Sequence, residues 1–137
     1  MKAFQEVLTL ERTNSAETDE VATALNDLAF IKHCQGDYIG AEQDQREALQ
    51  IAKQRNRQPI VAMYTCNMAR LALQRRDWTA AEGFTREALQ LERVAPREMI
   101  GEACMWLAKA LSRQGRPQQG QSYAKRGRNL HALKTAQ

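Results

Sequence analysis

Arg46-Glu47-Ala48-Leu49-Gln50 recurs letter for letter, forty residues on, as Arg86-Glu87-Ala88-Leu89-Gln90. The same offset places Ala29 on Ala69, Asp37 on Asp77, Tyr38 on Trp78 and Ala41 on Ala81. A fixed period of this size marks stacked supersecondary units, each too small to bury its apolar face alone. An offset of thirty-nine carries the pattern into a weaker third copy, with Ala69 on Ala108, Arg76 on Gly115, Trp78 on Pro117, Ala81 on Gly120 and Ala88 on Gly127. Shifting back by eighty-one aligns Leu8-Thr9-Leu10-Glu11-Arg12 with Leu89-Gln90-Leu91-Glu92-Arg93. The chain therefore reads as one array: a half repeat over 1–14, then repeats over 15–55, 56–95 and 96–137.

Each unit reads as two helices. Leu25, Leu28, Ala29 and Lys32 follow amphipathic spacing, and Ile39, Ala41, Ala48, Leu49 and Ile51 mark a second helix after a turn. Gly36-Asp37, Arg76-Asp77 and Gly115-Arg116 are the turns, where a left-handed residue ends the first helix. Pro59, Pro96 and Pro117 fall at helix starts, where a missing N–H costs least. Asn14 and Ser15, followed by Glu17, Asp19 and Glu20, predict a capped helix start near residue 15. Seven helices are predicted, over 2–13, 16–35, 38–55, 58–75, 78–94, 97–114 and 117–134, with no competing strand pattern. Ala29, Ala41, Ala48, Ala69, Ala81, Ala88 and Ala108 are placed where paired helices approach most closely, since small side chains permit that approach.

The run Ala24-Leu25-Asn26-Asp27-Leu28-Ala29, then Gly36-Asp37-Tyr38, Ala41-Glu42 and Glu47-Ala48-Leu49, resembles a tetratricopeptide repeat. Its forty-residue period is similar to the variant found in kinesin light chains and in many bacterial regulatory proteins. The resemblance implies an all-α fold, a right-handed α-α superhelix. It departs from the family pattern at Lys32 and Ala72, where an aromatic is usual, and at Gly120, which opens the third repeat's second helix.

With 137 residues, 43% of them hydrophobic, and no long apolar run, the chain is expected to be a soluble single domain. No segment is long and apolar enough for a membrane span or a secretion signal, so no membrane partner and a cytoplasmic location are expected. Cys34, Cys66 and Cys104 lie in different repeats without Cys-x-x-Cys spacing, and adding His33 and His131 gives no metal-ligand pattern. Free structural thiols and no metal are the expectation. No paired carboxylates, nucleophile with base, or Gly-rich phosphate loop suggests catalysis, so neither an enzyme nor a cofactor is expected.

Charge is lopsided. Residues 1–57 carry seven Lys or Arg against ten Asp or Glu, residues 58–137 thirteen against six, and no acidic residue follows Glu102. The basic half suits an acidic partner or the acidic front of a second copy, but the weakly apolar helix over 118–134 favours the plainer reading, a solvated terminal helix closing the array. The pI near 9.2 admits nucleic acid electrostatically, yet no helix-turn-helix, zinc finger or aromatic RNA platform accompanies it.

The resemblance implies that first helices line a concave groove, with Asn26, Phe30 and His33, then Met63, Asn67, Arg70 and Gln74, then Met105, Trp106, Lys109 and Arg113 facing it. Asn26 and Asn67 would bond a peptide backbone, Arg70, Lys109 and Arg113 would bind acidic groups, and Phe30, Met63, Met105 and Trp106 would anchor apolar side chains. Asp27 stands where the family's carboxylate clamp for chaperone tails would want Asn, which argues against that ligand. The reading is a non-catalytic protein-interaction module, a scaffold or regulatory part of a larger protein. Two alternatives are a homodimer through Phe4 and Val7 of the half repeat, and a nucleic-acid accessory domain.

Overall fold

A computed structural model describes residues 3, 5, 6 and 18–136, with side chains described as far as residue 132. From Asp19 onward the described residues form six helices in order: α1 Asp19–Cys34, α2 Tyr38–Gln54, α3 Gln58–Gln74, α4 Trp78–Leu89, α5 Arg97–Arg113 and α6 Pro117–Ala136. Among the described residues there is no strand. The fold is all-α, as the repeat predicts, and most observed helix ends lie within a few residues of the expected ones. The largest difference at a C-terminus is α4, which gives way at Gln90 to turns through Val94. Of the expected helix over 2–13 only residues 3, 5 and 6 are described, and they are helical; its remaining residues and the expected cap at Asn14 and Ser15 lie outside the described residues. The first helix after them starts later than residue 15, at Asp19, because Thr18 is extended and its hydroxyl accepts the Val21 N–H at 3.2 Å.

The chain forms two compact units, Met1–Tyr64 and Thr65–Gln137, divided inside α3. In the first, Val21, Ala22, Leu25, Leu28 and Ala29 of α1 are buried, as are Ala41, Ala48, Leu49, Ile51 and Ala52 of α2. Asp19 accepts hydrogen bonds from Arg55 and Arg57 at 2.7 and 3.1 Å, and these hold its carboxyl below the usual carboxylate range. In the second unit two small-residue clusters tie α3 to α4 and α5. One is Cys66, Ala88 and Ala103, with Leu89, Met99 and Trp106 against it. The other is Ala72, Ala81 and Ala110, with Leu73, Ala80 and Phe84. Six of the seven singled-out alanines are buried, and Ala108 is half-buried.

The turns follow the sequence closely. Gly36 and Gly115 adopt φ of 85° and 77°, and Arg76, at the same register, adopts 62°. After two of these turns an aspartate caps the next helix: Asp37 accepts the Gly40 N–H at 2.9 Å, and Asp77 accepts the Ala80 N–H at 3.1 Å. In the third repeat the aspartate is replaced by Arg116, which cannot accept, and Pro117 opens α6.

Lys32, standing where the family usually has an aromatic, forms an ion pair with Asp44 of α2 at 2.7 Å. The forty-residue offset maps this pair onto Ala72 and Phe84, which share an apolar cluster. The same two register positions thus hold a charged pair in one repeat and an apolar pair in the next. Gly120 also has a spatial reason. A Cβ there would stand 3.0 and 3.1 Å from the oxygen and Cα of Ala108, so only glycine lets α6 lie this close to α5.

Candidate functional site

The candidate residues divide between the units. In the first, α1 presents Asn26 half-buried, Phe30 63% exposed and His33 half-buried, and Met63 is exposed on α3. His33 meets the Tyr38 ring edge-on at 5.0 Å, so its imidazole is engaged with the start of α2. Cys34 beside it is exposed and free.

In the second unit Asn67 is half-buried on α3, and Arg70 and Gln74 are exposed one and two turns further on. On α5, Lys109 and Arg113 are exposed. An offset of thirty-nine puts Arg70 on Lys109 and Gln74 on Arg113, so the two first helices present cations at matching positions. Their α3 and α5 backbones are joined through the clusters of Cys66 with Ala103 and of Ala72 with Ala110. Among the described residues, no carboxylate lies within ion-pair distance of Arg70 or Lys109. Arg113 differs from them: its guanidinium lies over the Trp78 ring, 5.6 Å from the centroid.

Four other arginines of this unit, Arg75, Arg86, Arg116 and Arg126, have carboxylate partners. Arg116 holds Glu82 with a fork, Nη1 to Oε1 at 2.8 Å and Nη2 to Oε2 at 3.2 Å. Arg86 adds Nε to Oε2 at 3.0 Å, and the Gln114 amide donates to Oε1 at 3.0 Å. Burial pushes the Glu82 carboxyl up, but the donated hydrogen bonds outweigh it and hold the group at about 2. Arg86 also lies over the Tyr123 ring, Arg75 pairs with Asp77, and Arg126 pairs with Glu92. Sequence reasoning missed this network. The available signal was Arg116 standing in the aspartate register, a cation at a helix start where the dipole favours an anion.

Met105 and Trp106, read from sequence as groove anchors, line a cavity of about 610 Å³ between α5 and α6. Glu98, Glu102, Arg128, Leu130 and His131 are among its other walls. Cys66 and Cys104 are buried and free. Burial, reinforced by the charge of Glu102, pushes the Cys66 thiol up to about 11, and burial raises Cys104. Among the described residues no group of three His, Cys, Asp or Glu could hold a metal ion, and no helix is long and apolar enough to cross a membrane. Phe4 and Val7 lie outside the described residues.

Paired helices at a forty-residue period, aspartate-capped second helices and alanines at the crossings are matched by a family model. The tetratricopeptide repeat model aligns with residues 20–93, more than half of the chain. The chain belongs to the tetratricopeptide repeat family. Repeats of this family are non-catalytic and mediate protein–protein interaction. Among solved structures, the crystal structure of BtubC (BKLC) from P. vanneervenii superposes with a TM-score of 0.88 at 20% identity. The match covers 99% of this chain and 57% of that one, so this tetratricopeptide repeat chain spans little more than half of its structural relative and shares its fold. No curated protein matches the sequence.

Proposed function

We propose that the protein is a non-catalytic module that binds an acidic peptide or protein segment along the cations that α3 and α5 carry in its second unit. The observation that carries the reading is the pair Arg70 and Lys109, exposed at matching positions on α3 and α5 with no ion-pair partner among the described residues. Elsewhere Glu82 collects two arginines, and Asp19 collects two more. Two exposed cations set one repeat apart, on neighbouring helices, match carboxylates carried by an extended segment. Arg113 extends the stripe on α5 from its seat over Trp78. Asn67 and Gln74 supply the amide groups that such a segment needs for its backbone.

The test is fluorescence-anisotropy titration of labelled Asp/Glu-rich peptides, selected from a random library, against the wild type and a variant carrying Arg70→Glu with Lys109→Glu. The expected loss is about tenfold or more, since each charge-assisted hydrogen bond contributes roughly 1.5–3 kcal/mol. Binding should also weaken with added salt. Equal affinity in the variant, with an unchanged melting curve, would refute the assignment.

A further inference from the structure

Among the described residues two arginines lie over aromatic rings, and they differ in one respect. Arg86 lies over Tyr123, 5.8 Å from the ring centroid, and its Nε donates to Glu82 Oε2 at 3.0 Å. A ring under the guanidinium and a carboxylate at its edge satisfy that group together. Arg113 lies over Trp78, 5.6 Å from the centroid, and among the described residues it has the ring without the carboxylate. Asp77, next to Trp78 in the chain, is already taken: Oδ1 accepts the Ala80 N–H at 3.1 Å, and Oδ2 accepts from Arg75 at 3.2 Å. Glu82 is filled by Arg86, Arg116 and Gln114. Lys109, four residues before Arg113 on α5, adds a like charge at a spacing that destabilises a helix unless an anion meets it. The seat is tied down. The Gln114 amide donates to the Trp78 carbonyl at 3.4 Å, joining the end of α5 to the start of α4.

We infer that Arg113 is the specificity-determining residue of the proposed acidic-segment site: seated over Trp78, its guanidinium takes both oxygens of one aspartate or glutamate side chain of the segment, as Trp78 holds it in place. The inference rests on the reading that such a segment binds here, and it adds what that segment must carry. A guanidinium is planar and weakly hydrated, so a ring can cover one face and leave the N–H edge free for a carboxylate. Holding the side chain beforehand removes part of the ordering cost of binding. Among the described residues neither Arg70 nor Lys109 has a ring contact. Those two supply charge, and Arg113 supplies direction. A glutamine in the segment cannot replace the acid at this point, because its amide presents one acceptor and an NH₂ group where the fork needs two acceptors. Arg113 is exposed and Trp78 half-buried, so the ring stays packed while the cation meets the ligand.

The probe is the tightest Asp/Glu-rich peptide of the anisotropy screen, resynthesised with an amidated C-terminus so that it offers only side-chain carboxylates. Arg113→Lys keeps the charge and removes the fork, and the expected loss is about tenfold or more. Trp78→Leu is expected to cost about two- to fivefold in the wild-type background and nothing further in Arg113→Lys. Trp78→Tyr, which restores the kind of ring that Tyr38 supplies at the same register, returns most of the affinity. A merely structural role for Trp78 would lower affinity equally in both backgrounds. Circular dichroism melts verify the fold of each variant, and if Trp78→Leu does not fold, Arg113→Lys and Trp78→Tyr decide. Arg113→Lys binding as tightly as wild type, while Arg70→Glu with Lys109→Glu loses the probe, overturns this inference and leaves the acidic-segment reading standing. A Trp78→Leu loss of the same size in both backgrounds also overturns it. Failure of every Asp/Glu-rich peptide to saturate the wild type overturns that reading and this inference together.

Discussion

Replacing Gly120 by alanine sets two opposing effects against each other, and the structure says which wins. Alanine is better than glycine inside a helix by about 0.8–1.0 kcal/mol. The added Cβ, however, would stand 3.0 Å from the Ala108 oxygen and 3.1 Å from its Cα, both backbone atoms of α5 that no rotamer change can move. Comfortable carbon contacts need about 3.5–4.0 Å, so the two helices must separate by roughly half an ångström. Overpacking of this kind costs about 1–3 kcal/mol. The net expectation is a destabilisation of about 1 kcal/mol. Gly83, exposed within α4 and with nothing within 4 Å of its would-be Cβ, is the control, since Gly83→Ala collects the propensity gain without a clash. The two variants should therefore differ by about 2 kcal/mol in opposite directions from wild type. Urea unfolding followed by circular dichroism resolves such a gap, because a slope of about 1–3 kcal/mol per molar converts it into a midpoint difference near 1 M. If Gly120→Ala proves as stabilising as Gly83→Ala, the close approach of α6 to α5 is wrong.

Acid unfolding should reflect Glu82. Its carboxyl sits at about 2 against an ordinary 4.5, so the unfolded chain takes up the proton first as pH falls. The contribution is complete above about pH 4.5 and disappears by about pH 2. It is worth about 1–2 kcal/mol after allowing for the partial exposure of Arg86 and Arg116. Glu82→Gln should flatten the pH dependence of the melting temperature in that window, and an unchanged slope would refute the network. Asp77→Ala removes the cap of α4 and should cost about 1 kcal/mol by thermal melt, whereas the same loss is unavailable at Arg116, where alanine acts through Glu82 and Gln119. Lys32→Ala alone strands a largely covered Asp44 and destabilises, while Lys32→Ala with Asp44→Phe, which copies Ala72 and Phe84, should recover most of the loss in a double-mutant cycle. A thiol reagent at pH 8 should label exposed Cys34 first, with Cys66 and Cys104 reacting only on unfolding; equal rates for all three would contradict their burial.

The helices were legible in the sequence because their signals are local. Pro59, Pro96 and Pro117 lie at or beside their starts, glycine or a polar residue reverses the chain at Gly36, Arg76 and Gly115, and the alanines repeat at the crossings. The start of α1 was less legible, because Asn14, Ser15 and Thr18 are all chemically competent caps and only the backbone shows Thr18 in use. The end of α4 was blurred for a similar reason: Leu91 and Val94 continue the apolar spacing into a stretch that the chain spends in turns before Pro96.

Side-chain partners were legible only where both ends repeat. Tyr38 and Trp78 share a register, and each stands beside the end of a first helix, but the companion is His33 for one and Arg113 for the other. Nothing in the period distinguishes a cation laid over a ring from one pointing into solvent, so Arg70, Lys109 and Arg113 looked equivalent until the contacts were known. Arg116 shows the converse. Its place in the aspartate register reads as a lost cap, and only the packing of α5 and α6 beside α4 brings its guanidinium to Glu82. A repeat fixes where a side chain starts, and the neighbouring repeat decides what it meets. The same logic separates Met105 from its register partner: Cys66 is covered by the following helix α5, whereas Met105 is exposed beside the cavity between α5 and α6.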